Sequence, residues 1–298
     1  MITRRILTAA ALTAPFAMSA RAQVAAPYIV GGLSVLPVLD GIFPLALDAI
    51  PAAKNAEGEA LLVAAGRPAV GPDPIPVNGY VVRRGSQITL VDAGAGTLFG
   101  PDLGKLPGRM EEAQVFPGAV TAIVCTHLHV DHVGGLMTSG GGARFANAEL
   151  IVQEAEAAFW SDDAAMSRAG AGAADFFKAA RATLAAYKGR TRLVNGAADL
   201  VPGLSAMPLA GHTPGHMGVL VTDGSERLLL WGDVIHSMAL QLPRPDWTVV
   251  FDNDPAAAAA TRARVLDVVA ADKLRVTGMH MATAGRIERR AQGYALVG

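Results

Sequence analysis

The chain of 298 residues contains a single cysteine, Cys125. An intrachain disulfide is thereby excluded, as is any zinc site assembled from paired cysteines. An excess of one charge is also missing: 25 basic residues face 26 acidic ones, for a net charge of -1. Nucleic acid and anionic membrane surfaces are bound by clustered Lys and Arg, so neither is expected as a partner. Internal repeats and long linkers are absent from the sequence. The longest apolar stretch near the start, Ile6 to Met18, falls short of the roughly 20 residues a membrane span needs and is broken by Pro15.

What is present first is a targeting pattern. Arg4-Arg5 precedes that apolar stretch, and Ala20-Arg21-Ala22 follows it as a small-x-small cleavage site. Residues 1–22 are therefore expected to be a signal peptide, with a mature chain of residues 23–298 in one domain, periplasmic or secreted. Thr3-Arg4-Arg5-Ile6-Leu7 resembles a twin-arginine signal, though arginine pairs also occur in ordinary Sec signals. No cysteine follows the apolar run near the cleavage site, so no membrane anchor is expected after processing.

The whole chain is 51% hydrophobic, which suits a packed globular domain. Strand-like runs cover Tyr28 to Val38, Gly79 to Arg83 and Gln87 to Val91, with Gly85-Ser86 as a hairpin turn. Ala52 to Pro76, rich in Ala, Gly and Pro, reads as a surface loop or flap. Ala119 to Cys125 is a further apolar run. Helix-like segments follow over Gln153 to Trp160 and Ala173 to Tyr187. Then come strand-like runs over Ser205 to Leu209, Gly218 to Thr222 and Arg227 to Trp231, with Asp223-Gly224 as a turn. Asp254-Pro255 marks the start of a helix reaching Ala271, and Lys273 to Gly278 returns as a strand. Strands and helices alternating twice in this way predict two sheets packed face to face between helical layers.

The chemistry is concentrated in Thr126-His127-Leu128-His129-Val130-Asp131-His132. His127 and His129, two residues apart, would point the same way on an extended strand. Asp131 and His132 add a hard oxygen and another imidazole where the chain turns. Zinc accepts such a mixture of nitrogen and oxygen donors. Val133-Gly134-Gly135 then lets the backbone turn away tightly.

Thr126 to Gly135 resembles the His-x-His-x-Asp-His signature of the metallo-β-lactamase fold. Later segments match that family in order: Gly211-His212-Thr213-Pro214-Gly215-His216, Trp231-Gly232-Asp233 and Gly278-Met279-His280. The resemblance runs from about Tyr28 to the C-terminus. It implies an α/β fold, an αββα sandwich of two mixed sheets with outer helices. It also implies that one metal is held by His127, His129 and His212. The other is then held by Asp131, His132 and His280, with Asp233 bridging both. Two divalent ions, zinc foremost, would then activate water for hydrolysis, and Asp131 would steer that water and take its proton.

An aspartate at the Asp233 position favours the branch containing glyoxalase II, acyl-homoserine lactonases and methyl parathion hydrolase over true β-lactamases. The expected substrate is a small ester, lactone or phosphotriester. A mononuclear iron persulfide dioxygenase of the same fold is the alternative, and a homodimer is left open. Asp92 resembles the family's aspartate that orients a histidine ligand, against an ordinary strand-end aspartate. His216 is expected to be an ordinary buried histidine, and His236 to face the pocket or not with even weight. Cys125 is expected to be a small core residue. Phe159 and Trp160 are candidates for an apolar substrate wall, against a plain core role. Met281 to Gly285, shorter than the family's usual Pro- and Phe-containing loop, is expected to border the site.

Overall fold

The computed structural model describes residues 25–298, so the expected signal peptide of residues 1–22 lies outside the described residues. Among the described residues there are fourteen strands in two seven-stranded sheets. The first holds β1 (Tyr28–Val30), β2 (Leu33–Leu45), β3 (Asp73–Arg84), β4 (Gln87–Val91), β5 (Ala122–Val124), β6 (Glu149–Gln153) and β7 (Thr191–Val194), in that order across the sheet. The second holds β8 (Asp199–Val201), β9 (Leu204–Pro208), β10 (Met217–Asp223), β11 (Glu226–Leu230), β12 (Arg275–Thr277), β13 (Gly285–Arg289) and β14 (Tyr294–Val297). Both sheets are mixed. β4 through β7 run parallel to one another, as do β11 and β12, and the remaining neighbours are antiparallel.

The helices are α1 (Ala56–Ala64), α2 (Leu106–Glu112), α3 (Val130–Val133), α4 (Glu154–Ser161), α5 (Asp163–Arg168), α6 (Ala174–Ala186), α7 (Met238–Gln241) and α8 (Pro255–Ala271). None is long and apolar enough to cross a membrane. Each layer follows from where the apolar side chains go. Val35, Tyr80 and Val124 of the first sheet pack against Val219, Val221 and Leu230 of the second, giving a dry interior between the sheets. The outer face of the first sheet buries Ile123 and Leu150 against Trp160 and Phe177 of α4 and α6. The outer face of the second buries Leu229 and Val276 against Val265, Leu266 and Val269 of α8. This is the expected αββα sandwich.

The predicted elements recur with boundaries moved by a few residues, and α8 begins at Pro255 as its cap predicts. Asp254 accepts from the Ala257 N–H at 3.0 Å, and proline occupies the first turn, where its missing N–H costs nothing. Residues 52–76 are the main correction. They are not one loop but contain α1, followed by the start of β3. Asn55 caps α1 by accepting from Gly58 N–H at 3.0 Å, and Glu57 and Glu59 lie in its positive first turn. Leu62 then anchors α1 on Leu45, Ile50, Ile75 and Trp247.

The sandwich also fixes the place of the chemistry. Chain leaves the C-terminal ends of β4, β5, β11 and β12 at the same edge of the two sheets, where parallel strands deliver loops side by side.

Candidate metal centre

His127 and His129 lie just past the end of a strand, in extended chain. β5 ends at Val124, and the chain runs on in extended form beyond the sheet until α3 begins after His129. The extended backbone still brings the two imidazoles together, with ring centroids 4.7 Å apart. The loop between β9 and β10 brings His212, β11 leads into Asp233, and β12 leads into His280. Asp131 and His132 lie on α3.

The seven expected residues converge. Donor atoms of His127, His129 and His212 lie within 4.8 Å of one another, and so do those of Asp131, His132, Asp233 and His280. Asp233 stands between the two groups. Its Oδ2 is 3.7 Å from His127 Nε2, 3.4 Å from His212 Nε2, and 3.2 Å from both His132 Nε2 and His280 Nε2. Asp131 Oδ2 lies 3.5 Å from His132 Nε2 and 3.6 Å from His280 Nε2.

The outer nitrogens are tied down. His132 Nδ1–H donates to Asp92 Oδ2 at 2.7 Å, His280 Nδ1–H to the Pro76 carbonyl at 2.9 Å, and His212 Nδ1–H to Asp252 Oδ1 at 2.8 Å. Thr126 gives its hydroxyl proton to Asp92 Oδ2 at 2.7 Å and is left to accept from His127 Nδ1–H at 3.1 Å. Fixing the proton on the outer nitrogen leaves the inner lone pair pointing at the centre. Asp92 thus orients a histidine, as its resemblance implies, and it adopts φ 55° just past β4 to do so.

His127 Nε2, His132 Nε2 and Asp233 Oδ1 are buried with no hydrogen-bond partner. Each such group costs about 1–3 kcal/mol when left unpaired. Lone pairs and carboxylate oxygens turned inward together fit a divalent cation. The electrostatics agree. Burial opposes charge on His132, yet Asp233, Asp131 and Asp92 raise its pKa well above the ordinary histidine value. Against the same burial, Asp233 and Asp252 push His212 up to about 9. Asp233 is held well below the carboxylate range despite burial, by His132 and His280 foremost. His127 and His129, by contrast, are kept neutral by burial and by neighbouring imidazoles. The centre calls for positive charge, and two neutral imidazoles stand ready as donors.

His216 is buried, as expected, but it also supports the centre. Its Nδ1–H donates to Leu209 O at 2.9 Å and its Nε2 accepts the Asp233 backbone N–H at 3.0 Å. Burial pushes its pKa down to about 3, which keeps that lone pair free. Gly232 makes room for it, since a Cβ there would overlap the His216 ring, and its φ of 59° suits glycine. His236 does face the pocket. Its Nε2 lies 3.2 Å from Asp233 Oδ2, and its ring stacks on His280 at 5.0 Å. Cys125 is wholly buried in the core and belongs to neither donor group.

The apolar wall is not where Phe159 and Trp160 suggest. Both belong to the packed layer with Phe177, and Trp160 backs onto His129 at 5.3 Å from behind. The cavity over the centre is lined instead by Phe43, Leu45, Ile75, Phe99, Phe176 and Phe251. His129, Asp131, Asp233, His236 and His280 form its polar floor. The loop after His280 borders the centre but does not wall this cavity. Asn78 holds it by donating to the carbonyls of Met279 and Met281 at 3.1 and 2.9 Å, and Met281 to Thr283 line a neighbouring groove. Asp252 was not singled out from sequence.

Residues 72–280 match the model of the metallo-β-lactamase superfamily. The chain belongs to that superfamily. Among curated relatives, an N-acyl homoserine lactonase of a Bacillus species is 30% identical over 122 residues, which is 41% of this chain and 41% of the relative. One from Bacillus cereus is 29% identical over 114 residues, 38% of each. The matched stretch thus spans about two fifths of those relatives' own length. Of solved structures, the hydrolase AbOPH of the β-lactamase superfamily superposes with a TM-score of 0.83 at 25% identity, over 91% of this chain and 96% of that one. AidC, a dizinc quorum-quenching lactonase, superposes with a TM-score of 0.85 at 23% identity over the same shares, a likeness of fold. As a member of this superfamily the chain carries the expected sandwich and the expected donor set on one sheet edge.

Proposed function

We propose that this superfamily member is an exported binuclear metal-dependent hydrolase that opens lactones or cleaves esters bearing apolar groups. The observation that carries the reading is Asp233, whose carboxylate lies between two converging donor groups and has a buried oxygen without a protein partner. His127, His129 and His212 would hold one ion, and Asp131, His132 and His280 the other, with Asp233 shared. Ions held there, zinc in the first instance, would supply Lewis acidity toward the electrophile's oxygen and water of lowered pKa.

The chain's own residues do the rest. Asp131 is the more open of the two carboxylates in the cavity floor, with its side chain 18% exposed against 2% for Asp233. Despite burial, His132 and His280 hold it ionised well below the usual carboxylate range, so Oδ2 stays an anionic acceptor that can orient the O–H of attacking water. No serine or cysteine is needed as nucleophile. Phe43, Phe99, Phe176 and Phe251 exclude water and receive an apolar substituent. The lactonase names of the partial relatives and of AidC support a lactone as the substrate class.

The second donor group, complete through His280, favours two ions over the mononuclear iron dioxygenase alternative. Elemental analysis with a hydrolysis assay on an apolar lactone tests the reading. Two ions per chain and metal-dependent ring opening are expected. One iron per chain with persulfide-dependent oxygen uptake would replace it by the alternative.

A further inference from the structure

Glu156 lies in the first turn of α4 and is completely buried. Its carboxylate accepts four hydrogen bonds, all from neutral donors. Oε1 takes the Leu128 backbone N–H at 2.9 Å and the Trp160 indole N–H at 2.6 Å. Oε2 takes the Thr213 hydroxyl at 2.6 Å and the Gly215 backbone N–H at 2.9 Å. Leu128 separates His127 from His129, while Thr213 and Gly215 follow His212. The indole it orients lies edge-on to the His129 ring. All three histidines of one donor group are therefore reached through a single side chain.

We infer that Glu156 is a positioning residue of the metal centre, locking the loop of His127 and His129 against the loop of His212. The inference rests on the metal centre proposed above. A carboxylate offers about four acceptor positions and no donor, and here every one is used. Burying an anion with no cation beside it is costly, so a residue serving only to fill this space would be apolar. The fit is close on the far side as well. A Cβ at position 215 would overlap the backbone of Glu156, so the second loop reaches α4 only as glycine. Glutamine in place of Glu156 would keep the shape but turn an amide N–H2 toward two of the four donors.

The test compares the full chain with its Glu156→Gln variant, each stripped and titrated with zinc or cobalt(II) against a chromophoric chelator. One of the two ions should bind about 10- to 100-fold more weakly in the variant. The cobalt absorption bands should shift, while the metal-free proteins melt within a few degrees of each other. Equal affinities and equal cobalt spectra would overturn the inference. So would a metal-free melting temperature that falls as far as that of the loaded variant, since Glu156 would then serve folding alone. If Glu156→Gln yields no soluble protein, Thr213→Val carries the test. It removes one of the four donors and should weaken the same ion about fivefold, and no loss overturns the inference. A wild-type chain that binds no metal defeats the function proposed above, whereas two ions bound identically by wild type and variant defeats only this role.

Discussion

Asp252 grips His212 from outside the metal centre, taking the imidazole Nδ1–H on Oδ1 at 2.8 Å while its Oδ2 accepts the Val249 N–H at 3.1 Å. Arg262 is buried behind it, its guanidinium 3.6 Å from Oδ2 and donating to the carbonyls of Val234, Pro245 and Trp247. Helix α8 therefore reaches the centre through an arginine, a carboxylate and an imidazole in line. The carboxylate fixes the tautomer that turns the His212 Nε2 lone pair toward the centre, where it lies 3.0 Å from His129 Nδ1. Asp252→Asn keeps the shape but removes the anion that makes this imidazole a strong donor. Its affinity for one ion should fall about 10- to 100-fold with the fold intact. Chelator competition read beside circular dichroism checks this, and unchanged affinity would remove Asp252 from the account.

Asp233 has a harder task to replace. No neutral side chain supplies an anion shared between two cations, so Asp233→Ala should lose at least one ion and about a hundredfold or more of hydrolysis. Stripping wild type with a chelator should abolish activity, and zinc should restore it. Elemental analysis that finds two ions still bound to Asp233→Ala would refute the shared-carboxylate assignment.

Stability should fall steeply at high pH. Tyr187 is buried, donating its hydroxyl to Leu136 O at 3.1 Å and accepting the Phe145 N–H at 3.2 Å. Burial pushes its pKa up from 10.0 to about 12. The unfolded chain loses this proton near pH 10 and the folded one near 12. The stabilisation is thus complete below 10 and disappears as pH rises through that window, a loss of roughly 2–3 kcal/mol. Chemical denaturation at several pH values should show it, with a shallower slope in Tyr187→Phe. An unchanged slope in that variant would assign the effect to other groups.

Export is tested at the N-terminus. Arg4-Arg5 and Ala20-Arg21-Ala22 predict cleavage after Ala22. Mass spectrometry of the periplasmic or secreted protein should read a chain beginning at Gln23, and an intact Met1 there would reject the signal peptide.

The legibility of this protein divides along a physical line. Donor residues were readable because metal binding demands particular atoms, and His127 to His132 carry four of them in six positions. Helix α8 was readable because Asp254-Pro255 is a local capping signal. The closeness of His127 and His129 was readable too, because two-residue spacing reports side-chain direction, which extended chain beyond β5 satisfies as well as a ladder does. Residues 52–76 misled because Ala and Gly content hid the Asn55 cap. The pocket was unreadable for another reason. Phe43, Phe99, Phe176 and Phe251 are far apart in sequence, and only folding gathers them. Trp160, bonded to Glu156 one turn before it on α4, turned inward behind the histidines rather than toward substrate.

That phenylalanine wall gives the substrate prediction its content. Phe99 lies between Phe43, at 5.8 Å, and Phe176, at 6.2 Å, so it is the middle of the apolar lining over Asp131 and Asp233. Lactone opening and phosphotriester cleavage both need water activated at the same donor set, so the metal centre does not separate them. The wall does, because it rewards an apolar substituent and leaves a highly charged one without a partner. Apolar lactones and aryl esters should therefore be hydrolysed best, phosphotriesters less well, and β-lactams and phosphate monoesters little. Phe99→Ala removes contact area worth about 1.5–3 kcal/mol when fully buried by substrate. It should lower kcat/KM for a long-chain lactone about tenfold or more, while a short-chain lactone that never reaches the wall changes little. The loss should appear chiefly in KM if the ring only binds, and in kcat as well if it also excludes water from the carbonyl. Asp131→Ala, measured beside it, should be nearly inactive on every substrate and so exposes any contaminating hydrolase. A preference for β-lactams, or equal losses on long- and short-chain lactones in Phe99→Ala, would refute the assignment of this wall to substrate.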